Sequence, residues 1–105
     1  MDGIKTYKKS KADILNTIYD IIELQNGNMI IGDSIRGKVL CQLTMYGYIW
    51  QLMYAISELD KNRCEVRLSV TGERNDKEKE LHRQFALLDS MLLGGSDAKI
   101  IRAEP

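Results

Sequence analysis

At 105 residues the chain has room for one domain and one core, and none for a catalytic domain joined to a regulatory one. With 44% hydrophobic residues and a single Pro it carries ample material for that core, which excludes a disordered chain. Fifteen Lys plus Arg balance fifteen Asp plus Glu, so no net field exists to gather nucleic acid or an anionic membrane.

No apolar leader follows Met1, and no run reaches the roughly 18 apolar residues that cross a bilayer. The expectation is a soluble protein of the cytoplasm. Cys41 and Cys64 are the only cysteines and lie apart in alternating runs, so a disulfide framework is not indicated.

In chain order, residues 3–9 form a short opening strand. Ser10 then offers a hydroxyl cap with Asp13 three positions on, the pattern that satisfies the free amides of a helix start. Ile14, Leu15, Ile18, Ile21, Ile22 and Gln25 recur at helical spacing, with Asp13, Asn16, Thr17, Asp20 and Glu23 opposite. The expected stop is Asn26-Gly27, with Gly27 in the left-handed conformation.

From Asn28 the period changes to two. Strands are expected over residues 28–34, 37–46, 48–59 and 63–72, joined by Ser34-Ile35-Arg36-Gly37, Tyr46-Gly47 and Asp60-Lys61-Asn62. Connections this short make neighbours antiparallel. In the last strand Cys64, Val66, Leu68 and Val70 share one face. Residues 73–93 return to helical spacing, capped at Asn75 or Asp76, with Leu81, Phe85, Leu88 and Leu92 as the stripe. After Gly94-Gly95, residues 96–105 form a tail too short to stand alone, although Ile100-Ile101 can pair with a sheet edge.

The expected fold class is therefore α+β: an antiparallel sheet of about five strands with two helices on one face, residues 1–95 as a single domain and 96–105 as the tail. This β-α-β-β-β-β-α order resembles the TATA-binding-protein-like fold, to which helix-grip domains are also similar. The phrase Glu58-Leu59-Asp60-Lys61-Asn62-Arg63-Cys64-Glu65-Val66 resembles the penultimate hairpin of small bacterial domains of that kind. The resemblance implies a fold and no function. Minor-groove readers with such a sheet present a basic face, whereas the corresponding face here shows Lys38, Gln42, Thr44, Gln51, Ser57, Glu65 and Arg67.

Candidate chemistry is sparse. Residues 32–38 match the spacing of a phosphate-binding loop, with Lys38 at the lysine position. Val39 replaces the required hydroxyl, however, and a β run follows where a helix is needed, so a hairpin turn is expected. His82, the only histidine, falls four residues after Glu78 and reads as a flank residue paired with it. No catalytic set, cofactor site or metal-ligand cluster is apparent. A Cys-His dyad would require His82 to meet Cys41 or Cys64, and both thiols read as small core hydrophobes.

The most informative stretch is residues 48–56, because both faces are apolar. Tyr48, Trp50, Leu52, Tyr54 and Ile56 share one side; Ile49, Met53 and Ala55 share the other. Helices on one side of the sheet account for the first face only. The function expected is a non-catalytic structural or interaction domain that forms a homodimer, or docks another protein, through Leu40, Ile49 and Met53, with Ile100 and Ile101 contributing from the tail. The alternative is a module for an apolar ligand or lipid, held between sheet and helices by Trp50, Tyr54 and Phe85.

Overall fold

The computed structural model describes residues 1–45, 47–72, 76–92 and 99–101, the last three by backbone alone. The elements are β1 (Asp2–Tyr7), α1 (Lys11–Leu24), β2 (Asn28–Asp33), β3 (Lys38–Met45), β4 (Tyr48–Asp60), β5 (Arg63–Gly72), α2 (Lys77–Leu92) and β6 (Lys99–Ile101). Every strand pairing is antiparallel, and the sheet order is β2-β3-β4-β5-β1-β6. The α+β class and the element order are those expected from the sequence. The tail pairs with a sheet edge as Ile100-Ile101 suggested: β6 joins the free edge of β1 as a sixth strand, with Gly3 opposite Ile100.

Helix α1 starts where its hydroxyl cap requires, with the Asp13 amide donating to Ser10 Oγ at 3.2 Å. Its end differs from expectation. Asn26, at φ 54°, takes the left-handed position. The Asn26 amide donates to the Glu23 carbonyl at 3.0 Å and the Gly27 amide to that of Ile22 at 2.8 Å, the double closure of a Schellman motif. Gly27 is needed for close approach instead: a Cβ there would lie 2.5 Å from Leu43 Cδ2. Of the two residues expected to cap α2, Asp76 directly precedes the helix and its carbonyl accepts from the Glu80 amide at 3.2 Å; Asn75, the turn residue Tyr46 and the Gly94-Gly95 break lie outside the described residues.

Alternation along the strands produces two unlike faces. Val39, Cys41, Leu43, Trp50, Leu52, Tyr54, Ile56, Cys64, Val66, Leu68 and Val70 point toward the helices and are buried. They pack against Ile14, Ile18 and Ile21 of α1 and Leu81, Phe85 and Leu88 of α2. Strand β1 inverts the usual pattern, because Gly3, Lys5 and Tyr7 are its buried positions while Ile4 is only partly covered. Gly3 lets α2 come close, since a Cβ there would lie 2.9 Å from Phe85.

Candidate functional site on the open sheet face

Neither described helix covers the second face of the sheet, and its apolar residues stay partly in water. Ile49 is 49% and Met53 43% exposed, while Leu40 is half-buried. Strand register places Leu40 directly between Met53 on β4 and Ile31 on β2, with Ser69 beyond Met53. Three apolar side chains thus form one continuous row, and Ile31 is 51% exposed. The sequence reading missed Ile31. The pairing shifts between Met29 and Ile31, and this bulge resets the two-residue alternation that would have assigned a face. Beside the row, Leu40, Gln51, Met53, Ser69 and Thr71 surround a shallow depression of about 170 Å³.

The charged side chains described on this face lie toward one end. Arg67 donates to Asp2 Oδ2 through Nη2 at 3.0 Å and Nε at 3.2 Å, so its guanidinium is engaged within the chain. Lys38, at the start of β3, is exposed, and Glu65 on β5 is half-buried.

The other expected site residues occupy different places. Trp50, Tyr54 and Phe85 are 3, 1 and 2% exposed and belong to the core beneath the helices. Trp50 Nε1 and Tyr54 Oη are buried there with no hydrogen-bond partner among the described residues. Burial holds the Tyr54 phenol well above its ordinary range. The backbone of Ile100 and Ile101 pairs with β1 of the same chain.

Cys41 and Cys64 are buried free thiols on β3 and β5, separated by β4. Burial pushes the Cys41 thiol up to about 11, against a smaller opposing effect of a backbone hydrogen bond from Leu52. Burial also raises that of Cys64. His82 is exposed on α2, with Nε2 4.0 Å from Glu78. Residues 34–37 form the turn between β2 and β3, where the Arg36 amide donates to Asp33 Oδ1 at 3.0 Å.

Two polar clusters carried no local sequence signal. Lys5 of β1 pairs with Asp89 of α2, and Tyr7 Oη donates to the same carboxylate at 2.7 Å. Burial first, and the Asp89 contact second, raise the Tyr7 phenol. At the joint between the helices, Gln84 Nε2 donates to Glu80 Oε2 at 2.6 Å, and Arg83 Nη2 donates to Gln25 Oε1 at 2.8 Å. Both clusters tie elements together and are occupied by their own hydrogen bonds, so neither presents a free acid, base or nucleophile.

Among the described residues no group of three or more His, Cys, Asp or Glu is arranged to hold a metal ion. No described helix is long and apolar enough to cross a membrane. No protein-family model and no curated protein matches the chain.

Proposed function

We propose that the chain is a non-catalytic interaction domain that associates with itself through its sheet, using Leu40, Ile49 and Met53. The observation that carries this reading is the exposed apolar row Ile31-Leu40-Met53, with Ile49 nearby, on the face opposite the helices. Each exposed side chain keeps about half its surface in water, so full burial contributes about 1 kcal/mol apiece. Ile31, Ile49 and Met53 from two copies supply about 6 kcal/mol, and the apolar atoms of Leu40, Gln42, Gln51 and Thr71 around them add to it, against an association cost of at least about 4 kcal/mol. The result is a weak, concentration-dependent homodimer. A zero net charge adds no overall repulsion, the pairing of Arg67 with Asp2 speaks for a protein partner over nucleic acid, and buried free thiols suit the reducing cytoplasm.

Sedimentation of the wild type from low to high micromolar concentration tests the reading, and a monomer throughout overturns it. Trp50 Nε1 and Tyr54 Oη, which have no hydrogen-bond partner among the described residues, favour the second reading, an apolar ligand with a polar end held beneath the helices. Native mass spectrometry of the purified protein separates the two, because a retained small molecule and a second subunit add different masses.

A further inference from the structure

The open face is divided into a neutral half and a charged half. Toward the β3–β4 turn the cross-strand rows are Thr44-Ile49, then Asn28-Gln42-Gln51-Thr71, then Ile31-Leu40-Met53-Ser69, and none of these residues is ionisable. Charge begins at Asp2, beside Ser69, and continues in the next rows with Lys38, Arg67 and Glu65. The depression of about 170 Å³ lies inside the neutral half, where Ser69 and Thr71 are short beside Leu40, Gln51 and Met53. Two residues before Gln51 on the same strand, Ile49 projects from the same face and is 49% exposed. One surface therefore carries both a protrusion and a recess.

Resting on the self-association just argued, we propose that a second copy of this chain docks face to face on the neutral half about a two-fold axis, Ile49 of each copy seated in the other's Leu40-Gln51-Met53-Ser69-Thr71 depression.

Three observations favour a second copy over a different partner. Residues near a two-fold axis meet their own counterparts, so a charged side chain there would face a like charge, and among the described residues the cross-strand rows of this half carry no ionisable side chain. A contact between identical copies must also be self-complementary, and the protrusion and the recess lie side by side on one chain. Finally, the dimensions agree. A cavity of about 150 Å³ accommodates a benzene ring, so a recess of about 170 Å³ holds the four-carbon side chain of Ile49. Four strands about 4.8 Å apart and three rows about 7 Å apart give a patch of roughly 400 Å² per copy. This falls short of the roughly 800 Å² per partner of a standard interface, which makes the dimer weak and reversible.

The test uses two variants and their mixture. Thr71→Trp fills the recess and Ile49→Ala removes the protrusion; both positions are exposed, so the core is untouched, and circular dichroism checks the fold. Ser69→Trp occupies the same recess from the next position should Thr71→Trp not fold. Sedimentation velocity is expected to show each variant alone dimerising about tenfold or more weakly than wild type. Mixed, they form a heterodimer tighter than either homodimer, because the intact Ile49 of one copy still meets the open recess of the other. Variants that dimerise as wild type, or a mixture without heterodimer, overturn the docking geometry. If Ile30→Lys on the outer strand β2 instead abolishes the dimer while Ile49→Ala and Thr71→Trp do not, self-association stands and this geometry fails. A wild type that stays monomeric overturns both.

Discussion

Gln25 and Gln84, 59 positions apart in the chain, hold each other by a reciprocal amide pair: Gln84 Nε2 donates to Gln25 Oε1 at 2.9 Å, and Gln25 Nε2 donates back to Gln84 Oε1 at 3.0 Å. The pair closes the joint between the end of α1 and the middle of α2. Gln84 is 1% exposed, so its amide depends on these bonds and on the one it gives to Glu80.

Gln84→Ala leaves the buried Glu80 carboxylate short of a donor and is expected to cost about 2 to 3 kcal/mol in urea unfolding. Gln84→Glu costs more at neutral pH, because it sets a second buried carboxyl against Glu80. Burial and the like charge would raise the folded pKa of the introduced group above the unfolded value of about 4.3. Above that pH the unfolded chain ionises first and the variant loses stability, so its deficit narrows as pH falls through this region. A deficit independent of pH would show that the introduced group escapes to solvent.

The ion pair of Lys5 with Asp89 gives a second prediction. Lys5 is 8% exposed at an inward strand position, and Asp89 answers its charge from α2 while accepting from Tyr7. Asp89→Ala strands a buried ammonium and is expected to cost about 3 kcal/mol or more. The pair Lys5→Met with Asp89→Leu removes both charges and recovers most of that loss. Equal destabilisation in the single and double variants would mean that shape at this joint matters more than charge.

These clusters also mark how far the sequence can be read. The α1 stripe and the two faces of β4 follow from one period each, and Ile49, Met53 and Leu40 lie on the side that alternation assigns them. Ile31 does not follow, since the bulge beside it breaks the alternation. Nor do Lys5 and Asp89, 84 positions apart: a strand reading Gly3-Ile4-Lys5 would bury Ile4, and only the tertiary partner explains why Lys5 turns inward instead. Strand β6 is three residues long and owes its place to the edge of β1, which no local pattern encodes. The neutral half of the open face is a property of register across four strands and becomes visible only once they are paired.

Gly37 supplies a prediction about the β2–β3 turn. Its φ is 68°, a Cβ there would lie 2.5 Å from the Ile56 carbonyl oxygen, and its own carbonyl accepts from the Ile56 amide at 2.8 Å. Gly37→Ala thus combines left-handed strain with a clash against backbone that has no side-chain rotamer to yield. A loss of at least about 2 kcal/mol in chemical denaturation is expected. A change below about 0.5 kcal/mol, the ordinary range of surface substitutions, would show that β4 shifts freely at this position.

Tyr7 and Tyr54 are both buried phenols, yet their replacement by Phe is expected to act in opposite directions. Tyr7 Oη donates to Asp89, so Tyr7→Phe forfeits a hydrogen bond to a charged acceptor and costs about 1.5 to 3 kcal/mol. Tyr54 Oη has no partner among the described residues, so Tyr54→Phe removes an unrequited desolvation cost and raises stability by about 1 kcal/mol. The alkaline limb of stability provides an independent check. Burial raises both phenols above their ordinary value of about 10, so beyond that pH the unfolded chain ionises while the folded chain holds its protons, and stability falls. Cys41 adds an earlier fall between about 9 and about 11, over which its thiol ionises in the unfolded chain before the folded one. Removing either phenol makes the decline above pH 10 shallower, but only Tyr54→Phe does so from a higher plateau at neutral pH. If Tyr54→Phe is destabilised at pH 7 as Tyr7→Phe is, its hydroxyl is hydrogen-bonded in solution, and a bound water or small molecule beneath the helices becomes the group to identify.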